Sequence, residues 1–547
     1  MKKLLFIPLA LLAALSLHAA KGDFTLVRDT EILINMMRAL NENYVDSLSS
    51  NQMLKDATAG MSKSLDPYTT YIDEEEMADF EIMTTGKYGG IGSLIRQDGD
   101  YVVVAQPYKG SPADKSGLII GDKILSIEDE DGKGMTTKDV SDRLKGTPGS
   151  NVTIKVSSVI DSTERDVVIK RERISIPAIP YSGMVNDEGI AYMNHSDFTE
   201  GGFEQMRKAL KALEEQGMSS LILDYRGNGG GIMQEAIKVL SLFVPKNSEV
   251  LKIKGRRDST IYRTSAEPLY PDMPIALLID GNSASASEIV VGAMQDMDRA
   301  VLIGQRSFGK GLVQSTLPVG FDSYLKLTTA RYYIPSGRCI QEVDYSDHSA
   351  NRATGKVADS LRREFQTVGG RKVYDGGGIK PDIEIDPEYV SRFAATLYAK
   401  GIIEEWGAEY YRKNYKSEMD IDSFDVTESD FEQFKELVAT KELDYKSQTS
   451  HAITALEKAA EEDRNEELME ELKSVKERLK DDTESNLERY KRDIMRYMRQ
   501  DAVLRRGYAD GVIRNSLSRD SVVLRAVELL SSPTQMAEIL TQTQIEE

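Results

Sequence analysis

Residues 173–390 constrain the fold most tightly, because strongly apolar strands there alternate with helices and two of them run into turns of very small residues. Leu221-Ile222-Leu223-Asp224 leads into Gly227-Asn228-Gly229-Gly230-Gly231 and then a helix predicted over Ile232 to Phe243. Ile275 to Asp280 leads into Asn282-Ser283-Ala284-Ser285-Ala286-Ser287-Glu288, with a helix from about Ala286 to Gln295. Gly189 to Met193 reads as a further strand and Gly202 to Gln216 as a further helix. Strands apolar at every position have no face to give to water, so they predict a sheet covered by helices, an α/β core. The Gly-rich loop suits a phosphate at a helix N-terminus or N–H donation to an oxyanion. A serine in the small-residue turn stands beside a helix N-terminus that favours a developing anion. The plainer reading is N-capping by Ser285 or Ser287 with Glu288 in the first turn.

At about 100–200 residues per domain, a chain of 547 residues holds three to five domains. Residues 23–85 carry Leu26, Ile32, Leu33, Met36, Met37 and Leu40 at near-helical spacing, until Ser64-Leu65-Asp66-Pro67 breaks the pattern. Residues 86–172 switch to short β-rich runs with one short helix, about Thr137 to Leu144. Tyr88-Gly89-Gly90-Ile91-Gly92, Ser111-Pro112-Ala113 and Gly121-Asp122 come in an order that resembles a PDZ domain. In that reading the Gly89-Gly90-Ile91-Gly92 turn offers backbone N–H groups to a peptide carboxylate. The peptide adds as a strand beside Ile91, and Val140 and Leu144 line the pocket for its last side chain. Residues 391–547 form another block, with neither Gly nor Pro between Gly407 and Gly507, read as long helices with solvated faces.

The third notable segment is Gly304-Gln305-Arg306-Ser307-Phe308-Gly309-Lys310-Gly311-Leu312-Val313-Gln314. Its start approaches a P-loop, but Gly311 stands where that motif needs Ser or Thr. With Arg331-Tyr332-Tyr333-Ile334-Pro335-Ser336-Gly337-Arg338 and Gly378-Ile379-Lys380-Pro381-Asp382, the three segments resemble the carboxyl-terminal processing proteases over residues 30–390. The resemblance implies serine endopeptidases with a crotonase-like α/β core and an inserted PDZ domain. It implies Ser285 as nucleophile, Lys310 as base and Gln314 as its support. It also implies an oxyanion hole from Ala286 and one glycine of the pair Gly229 and Gly230. A Lys with a free pKa of about 10.4 needs a shift of roughly 3.4 units to be half-deprotonated at pH 7, within reach of burial. Spacing four puts Lys310 and Gln314 on one face of a helix or of a strand, and direct contact needs the helical or turned version. The rival enzyme reading is a triad of serine, His195 and Asp224. The resemblance gives His195 no such role, so it reads as a partly buried structural residue, and Asp224 with Arg226 reads as a brace for the Gly loop. A rival of another class is a non-proteolytic scaffold or chaperone that binds tails through the same PDZ domain.

Composition trims the remaining options. Lys and Arg total 69 against 89 Asp and Glu, a net charge of -20, which argues against a nucleic-acid surface. One Cys excludes an internal disulfide and Cys-rich zinc sites, and no metal, nucleotide or other cofactor is expected. Residues 1–20 read as an export signal, with Lys2 and Lys3 before an apolar run and Ala19-Ala20 at its end. A periplasmic or secreted location is the consequence, with an uncleaved anchor as the alternative. The expected division is 1–20 signal, 21–85 helical segment, 86–172 PDZ domain, 173–390 protease core and 391–547 helical extension. Expected partners are protein substrates with accessible C-termini, with an adaptor and self-association through the N- and C-terminal helices left open. A polar insertion between Gln341 and Asp375 departs from the family pattern. Cys339, where a Ser is common, reads as a structural thiol. Arg143 and Lys145 both lie where some relatives place an arginine that couples the PDZ domain to catalysis.

Overall fold

A computed structural model describes residues 6–345, 359–479 and 482–541. Lys2 and Lys3 of the export-signal reading, and residues 346–358 of the polar insertion, lie outside these residues. The chain divides into two compact units, each described by itself.

The first unit joins Met1–Ala78 to Leu312–Ala330 and Val343–Lys356. It holds the helices Phe6–Asn43 and Ser50–Ser62, the second capped by the Ser49 hydroxyl. The expected helical character stops at Asp66, whose carboxylate accepts the N–H groups of Tyr68 and Thr69 at 2.8 Å and so turns the chain out of the helix. The next element is a strand, Thr70–Ile72, antiparallel to Tyr324, Leu325 and Lys326. Those residues belong to Ser323–Tyr333, which pairs with Leu312–Gly320 in a hairpin. Phe321 and Asp322 at its tip both have positive φ, as a tight hairpin turn demands.

The second unit contains Asp79–Gly311, Arg331–Glu342 and Val357–Glu547. Its first part is an antiparallel sheet of Ser93–Asp98, Tyr101–Pro107, Lys123–Ile127, Asn151–Ser157 and Glu164–Lys170. The helix Thr137–Leu144 starts at a capping box between Thr136 and Asp139. Alternate residues Val152, Ile154 and Val156 fill its core with Val102, Val104, Ile124 and Ile127. Gly89 passes so close to Gly146 that a Cβ would stand 2.1 Å from the Gly146 carbonyl oxygen, so this position excludes any side chain.

The α/β part shows the expected alternation. Its elements are β1 (Tyr181–Met184), β2 (Ile190–Asn194), α1 (Gly202–Glu215), β3 (Ser220–Asp224), α2 (Met233–Leu240), β4 (Ile275–Ile279), α3 (Ala286–Asp296), β5 (Val301–Gly304) and β6 (Ile383–Glu384). The sheet order is β1 to β6 without a swap, antiparallel at β1–β2 and parallel thereafter. Every residue of β3 and β4 is buried, so both faces are covered.

The last part is helical but less continuous than the lack of Gly and Pro suggests. Capping side chains do the interrupting: Thr427, Ser447 and Asp482 each accept from a backbone N–H three residues on. The long helix α4 (Lys491–Ser516) runs through Gly507 and kinks at Tyr508, where φ is 57° and ψ -169°. The kink brings the Tyr508 hydroxyl to 2.6 Å from the Asp114 carboxylate, while Lys109 pairs with Asp510 at 3.0 Å. Two shorter helices end the described chain, α5 (Ser521–Leu530) and α6 (Pro533–Thr541). Val523, Ala526, Leu529 and Met536 pack with Ile190, Tyr192, Ile222, Leu278 and Ile303 of the sheet.

Candidate active site

Ser285 sits between β4 and α3 in a backbone conformation that ordinary residues avoid, φ 56° and ψ -113°. Such a conformation costs on the order of 1–3 kcal/mol and persists only where the surroundings fix it. Here the fixing groups are identifiable. Asp280 closes the turn before it, one carboxylate oxygen accepting at 3.0 Å from the N–H groups of Gly227, Asn282 and Ser283. The Ser283 hydroxyl donates to the Tyr225 carbonyl at 2.9 Å, and the Ser287 hydroxyl to the Asn228 carbonyl at 2.9 Å. The nucleophile turn and the Gly loop are therefore one hydrogen-bonded body.

Asn228 organises that loop from a fully buried position. Its amide donates to the His195 carbonyl at 2.7 Å and accepts from the Gly230 N–H at 2.9 Å. Gly230 packs against the serine turn so closely that a Cβ would lie 2.8 Å from the Ala286 nitrogen. The Gly230 N–H is committed to Asn228, whereas the Gly229 N–H has no hydrogen-bond partner among the described residues.

Lys310 is half-buried in the loop between β5 and the strand Leu312–Gly320. No helix comes after it, so the P-loop resemblance has no structural counterpart. The helical arrangement of Lys310 and Gln314 does not form either. Gln314 lies on a strand of the first unit, where its amide donates to Thr328 at 3.4 Å. Extended pairing of that strand with Ser323–Tyr333 outweighs the glycine-flanked turn.

Two residues that sequence reasoning did not single out as functional bind the Ser285 and Lys310 backbones together. The Glu288 carboxylate is fully buried, and one oxygen accepts from the Ser285 N–H at 2.8 Å and the Lys310 N–H at 2.9 Å. Those lengths laid end to end hold the two nitrogens within 5.7 Å of each other. The other oxygen accepts from the Ser307 hydroxyl at 2.6 Å and the Gly309 N–H at 2.7 Å. All four partners donate, so the group is used as a carboxylate. Burial pushes its pKa above the ordinary value, against these hydrogen bonds, which pull it down. On the carbonyl side, the buried Tyr332 hydroxyl reaches both the Lys310 oxygen at 2.7 Å and the Ser285 oxygen at 3.1 Å. The one signal for Glu288 was its place three residues after Ser285, which reads equally as a capping residue.

The triad reading does not survive. His195 is fully buried against Phe198 and Tyr225, and neither ring nitrogen has a hydrogen-bond partner among the described residues. Burial drives its pKa down to about 3, so the ring is neutral. Asp224 is engaged elsewhere: it accepts from the Tyr192 hydroxyl at 2.7 Å and pairs with Arg226 at 2.6 Å. The bracing expected of Asp224 and Arg226 is thus present. Arg338 and Asp382 are likewise structural. Arg338 pairs with Asp296 at 2.8 Å and Asp382 with Arg371 at 2.6 Å, under the C-terminal end of α3. Burial raises the Cys339 pKa, consistent with an unreactive thiol.

In the PDZ part, Gly90 and Ile91 are buried, and Gly92 has positive φ with its carbonyl accepting from the Ser111 hydroxyl at 2.8 Å. Val140 and Leu144 are 1% and 5% exposed and pack in the hydrophobic core of this part. Arg143 pairs with Glu130, and Lys145 with Asp79 at 2.8 Å.

Matches to known families span three stretches. Residues 189–348 match peptidase family S41, 103–157 a PDZ domain, and 393–530 the C-terminal helical domain of probable PDZ-proteases. A carboxy-terminal-processing protease of Bartonella bacilliformis is 34% identical over 316 residues, 56% of this chain and 72% of that one. A probable CtpA-like serine protease of Staphylococcus aureus is 31% identical over 361 residues, 65% of each chain, so this chain spans just under two thirds of that relative. Among solved structures, the photosystem II D1 C-terminal processing protease is 25% identical, with 65% of this chain and 93% of that chain covered and a TM-score of 0.36.

Proposed function

The chain belongs to the carboxy-terminal-processing proteases, serine-type peptidases that carry a PDZ domain, and from that membership we propose that Ser285 and Lys310 are its catalytic dyad. A neutral Lys310 amine takes the Ser285 proton as the hydroxyl attacks the scissile carbonyl carbon. The oxyanion so formed accepts from the N–H groups of Ala286 and Gly229. The leaving amine takes the proton from the Lys310 ammonium, and water then hydrolyses the acyl-serine by the same relay. The observation that carries this reading is the double tie of Ser285 and Lys310 through Glu288 and Tyr332.

Protein substrates enter by their C-termini at the Gly89-Gly90-Ile91-Gly92 segment, where the expected turn is instead the end of the strand Lys87–Gly90, paired with Glu172–Ser175, followed by the positive-φ Gly92. The terminal side chain packs against Val140 and Leu144 of the helix Thr137–Leu144. The division at residues 86, 173 and 391 belongs to the same proposal, as does export directed by residues 1–20. Among the described residues no helix is long and apolar enough to cross a membrane. Self-association is supported in the first unit. Phe24, Val27, Ile32 and Met36 are exposed, and a cavity of about 780 Å³ is lined by Met37, Leu54, Met61, Leu65, Leu325 and Leu327. An adaptor is the other occupant this surface suits.

The test compares wild type with Ser285→Ala on an unfolded protein bearing an apolar tail. Cleavage by wild type alone is expected. Equal cleavage by both would remove Ser285 from the mechanism, and none by either would favour the tail-binding scaffold.

A further inference from the structure

We propose that Asp520, from the C-terminal helical segment, is a positioning residue for the oxyanion loop, so that this segment is part of the catalytic unit. The inference rests on the peptidase reading above. Asp520 caps α5, its carboxylate accepting from the N–H groups of Val522 at 2.9 Å and Val523 at 3.1 Å. The same carboxylate reaches Arg226, with Nη2 at 2.9 Å from one oxygen and Nη1 donating to the other at 3.2 Å. Arg226 thus lies between two carboxylates 296 positions apart in the chain, Asp224 at the end of β3 and Asp520 at the start of α5. Burial alone would lower the Arg226 pKa, but the two carboxylates outweigh it and hold the guanidinium charged.

Arg226 opens the turn that makes the Gly loop. The Asn228 N–H donates to the Tyr225 carbonyl at 3.1 Å across it, and Gly227 takes positive φ. Asn228 in turn holds Gly230, and Gly229 lies between them. Gly229 is thus held between Asn228 and Gly230, in a turn whose start is anchored by the Arg226 side chain. Asp224 takes Nε and Nη2, and Asp520 shares Nη2 and alone takes Nη1. The helix that carries Asp520 is itself seated on β2, β3, β4 and β5 through Val522, Val523, Ala526 and Leu529. Held by the cap N–H groups of α5, the Asp520 carboxylate restrains the Arg226 guanidinium and with it the start of the loop that carries the oxyanion donors. A donor misplaced by a fraction of an ångström loses much of its effect on the transition state and little of its effect on substrate binding.

The experiment uses the full chain with a tailed peptide substrate and, as transition-state probe, a peptide aldehyde that forms a tetrahedral adduct with the serine. The variants are Asp520→Asn and Asp520→Ser, both of which keep a capping side chain, and Val523→Ala, which weakens the seating of α5 without touching the ion pair. Asp520→Asn is expected to lower kcat by ~10- to 100-fold, raise the aldehyde inhibition constant by a similar factor, and leave KM nearly unchanged. Val523→Ala is expected to lower the melting temperature with kcat little changed. Unchanged aldehyde affinity in Asp520→Asn, or an equal kcat loss in Val523→Ala, would overturn the proposal. If both Asp520 variants fail to fold while Val523→Ala folds, Asp520 serves folding rather than positioning, which also overturns it. Absence of cleavage by wild type, or equal cleavage by Ser285→Ala, would instead overturn the peptidase reading on which it rests.

Discussion

Replacing Tyr332 by Phe removes one hydroxyl and keeps the ring that fills the core. The hydroxyl carries a single proton shared between the Lys310 and Ser285 carbonyls, at 2.7 and 3.1 Å. The Ser285 carbonyl keeps the Ile289 N–H as donor at 3.0 Å, so it is not orphaned. The stability loss is then about one buried hydrogen bond and part of a desolvated acceptor, ~1–2 kcal/mol. At roughly 2–4 °C per kcal/mol for a domain of this size class, melting falls by a few degrees. The effect on rate is separate. Glu288 still holds the two N–H groups, but the carbonyl side of the tie is gone, and a 1 Å misplacement of reacting groups costs about 10²-fold. A partial misplacement predicts a kcat loss of ~10-fold, equivalent to about 1.4 kcal/mol of transition-state stabilisation. KM should stay within two-fold, because Tyr332 is buried and presents nothing to substrate. The assay is steady-state cleavage of a tailed peptide alongside thermal melting of the same preparation. A melting loss with kcat unchanged would refute the reasoning, since the hydroxyl would then matter only to the core.

Glu288→Gln should lower kcat further, by ~10²-fold or more, because an amide at either oxygen position presents a donor to a backbone N–H that cannot reverse; kcat near wild type in steady-state assays would contradict this. His195 is neutral in the fold with a pKa near 3 against an ordinary 6.5, so the unfolded chain takes up its proton first. Stability from this group is present above pH 6.5 and is lost as pH falls toward 3, by up to roughly 3–5 kcal/mol. His195→Leu should flatten that acid loss in denaturant titrations and leave activity at pH 8 within a few-fold, whereas a loss above 100-fold in a folded variant would revive the triad. Amidating the substrate's C-terminus should raise KM about ten-fold through lost charge-assisted hydrogen bonds, and an unchanged KM would remove the carboxylate from recognition. Ile32→Glu with Met36→Glu should reduce self-association in sedimentation, and an unchanged mass would exclude that face as the contact.

The alternation of strands and helices in the core was legible because a fully apolar strand such as Ile275–Ile279 has one stable destination, inside a covered sheet. The PDZ helix was legible as a short element near Thr137 to Leu144, and the capping box of Thr136 and Asp139 fixes its start in the structure. The break at Asp66 was legible as well, but the strand Thr70–Ile72 after it was not, because three residues are too few to show an alternation. At the site, the motifs pointed to Ser285 and Lys310, but what ties them does not lie in one motif. Tyr332 lies 47 residues after Ser285, and Asp520 lies 294 residues after Arg226, so only the folded chain brings them together. Val140 and Leu144 illustrate the opposite limit, where helical spacing identified the inward face of a helix but not whether that face borders a groove or a filled core.

The claim that Ser285 is the nucleophile activated by Lys310 is tested most directly by covalent labelling. The full chain is treated with a serine-directed fluorophosphonate, and the adduct is located by peptide mass mapping. One adduct on Ser285 is predicted, absent in Ser285→Ala and formed at least ~10²-fold more slowly in Lys310→Ala. An adduct on Ser283 or Ser287, or equal labelling rates with and without Lys310, would contradict the account.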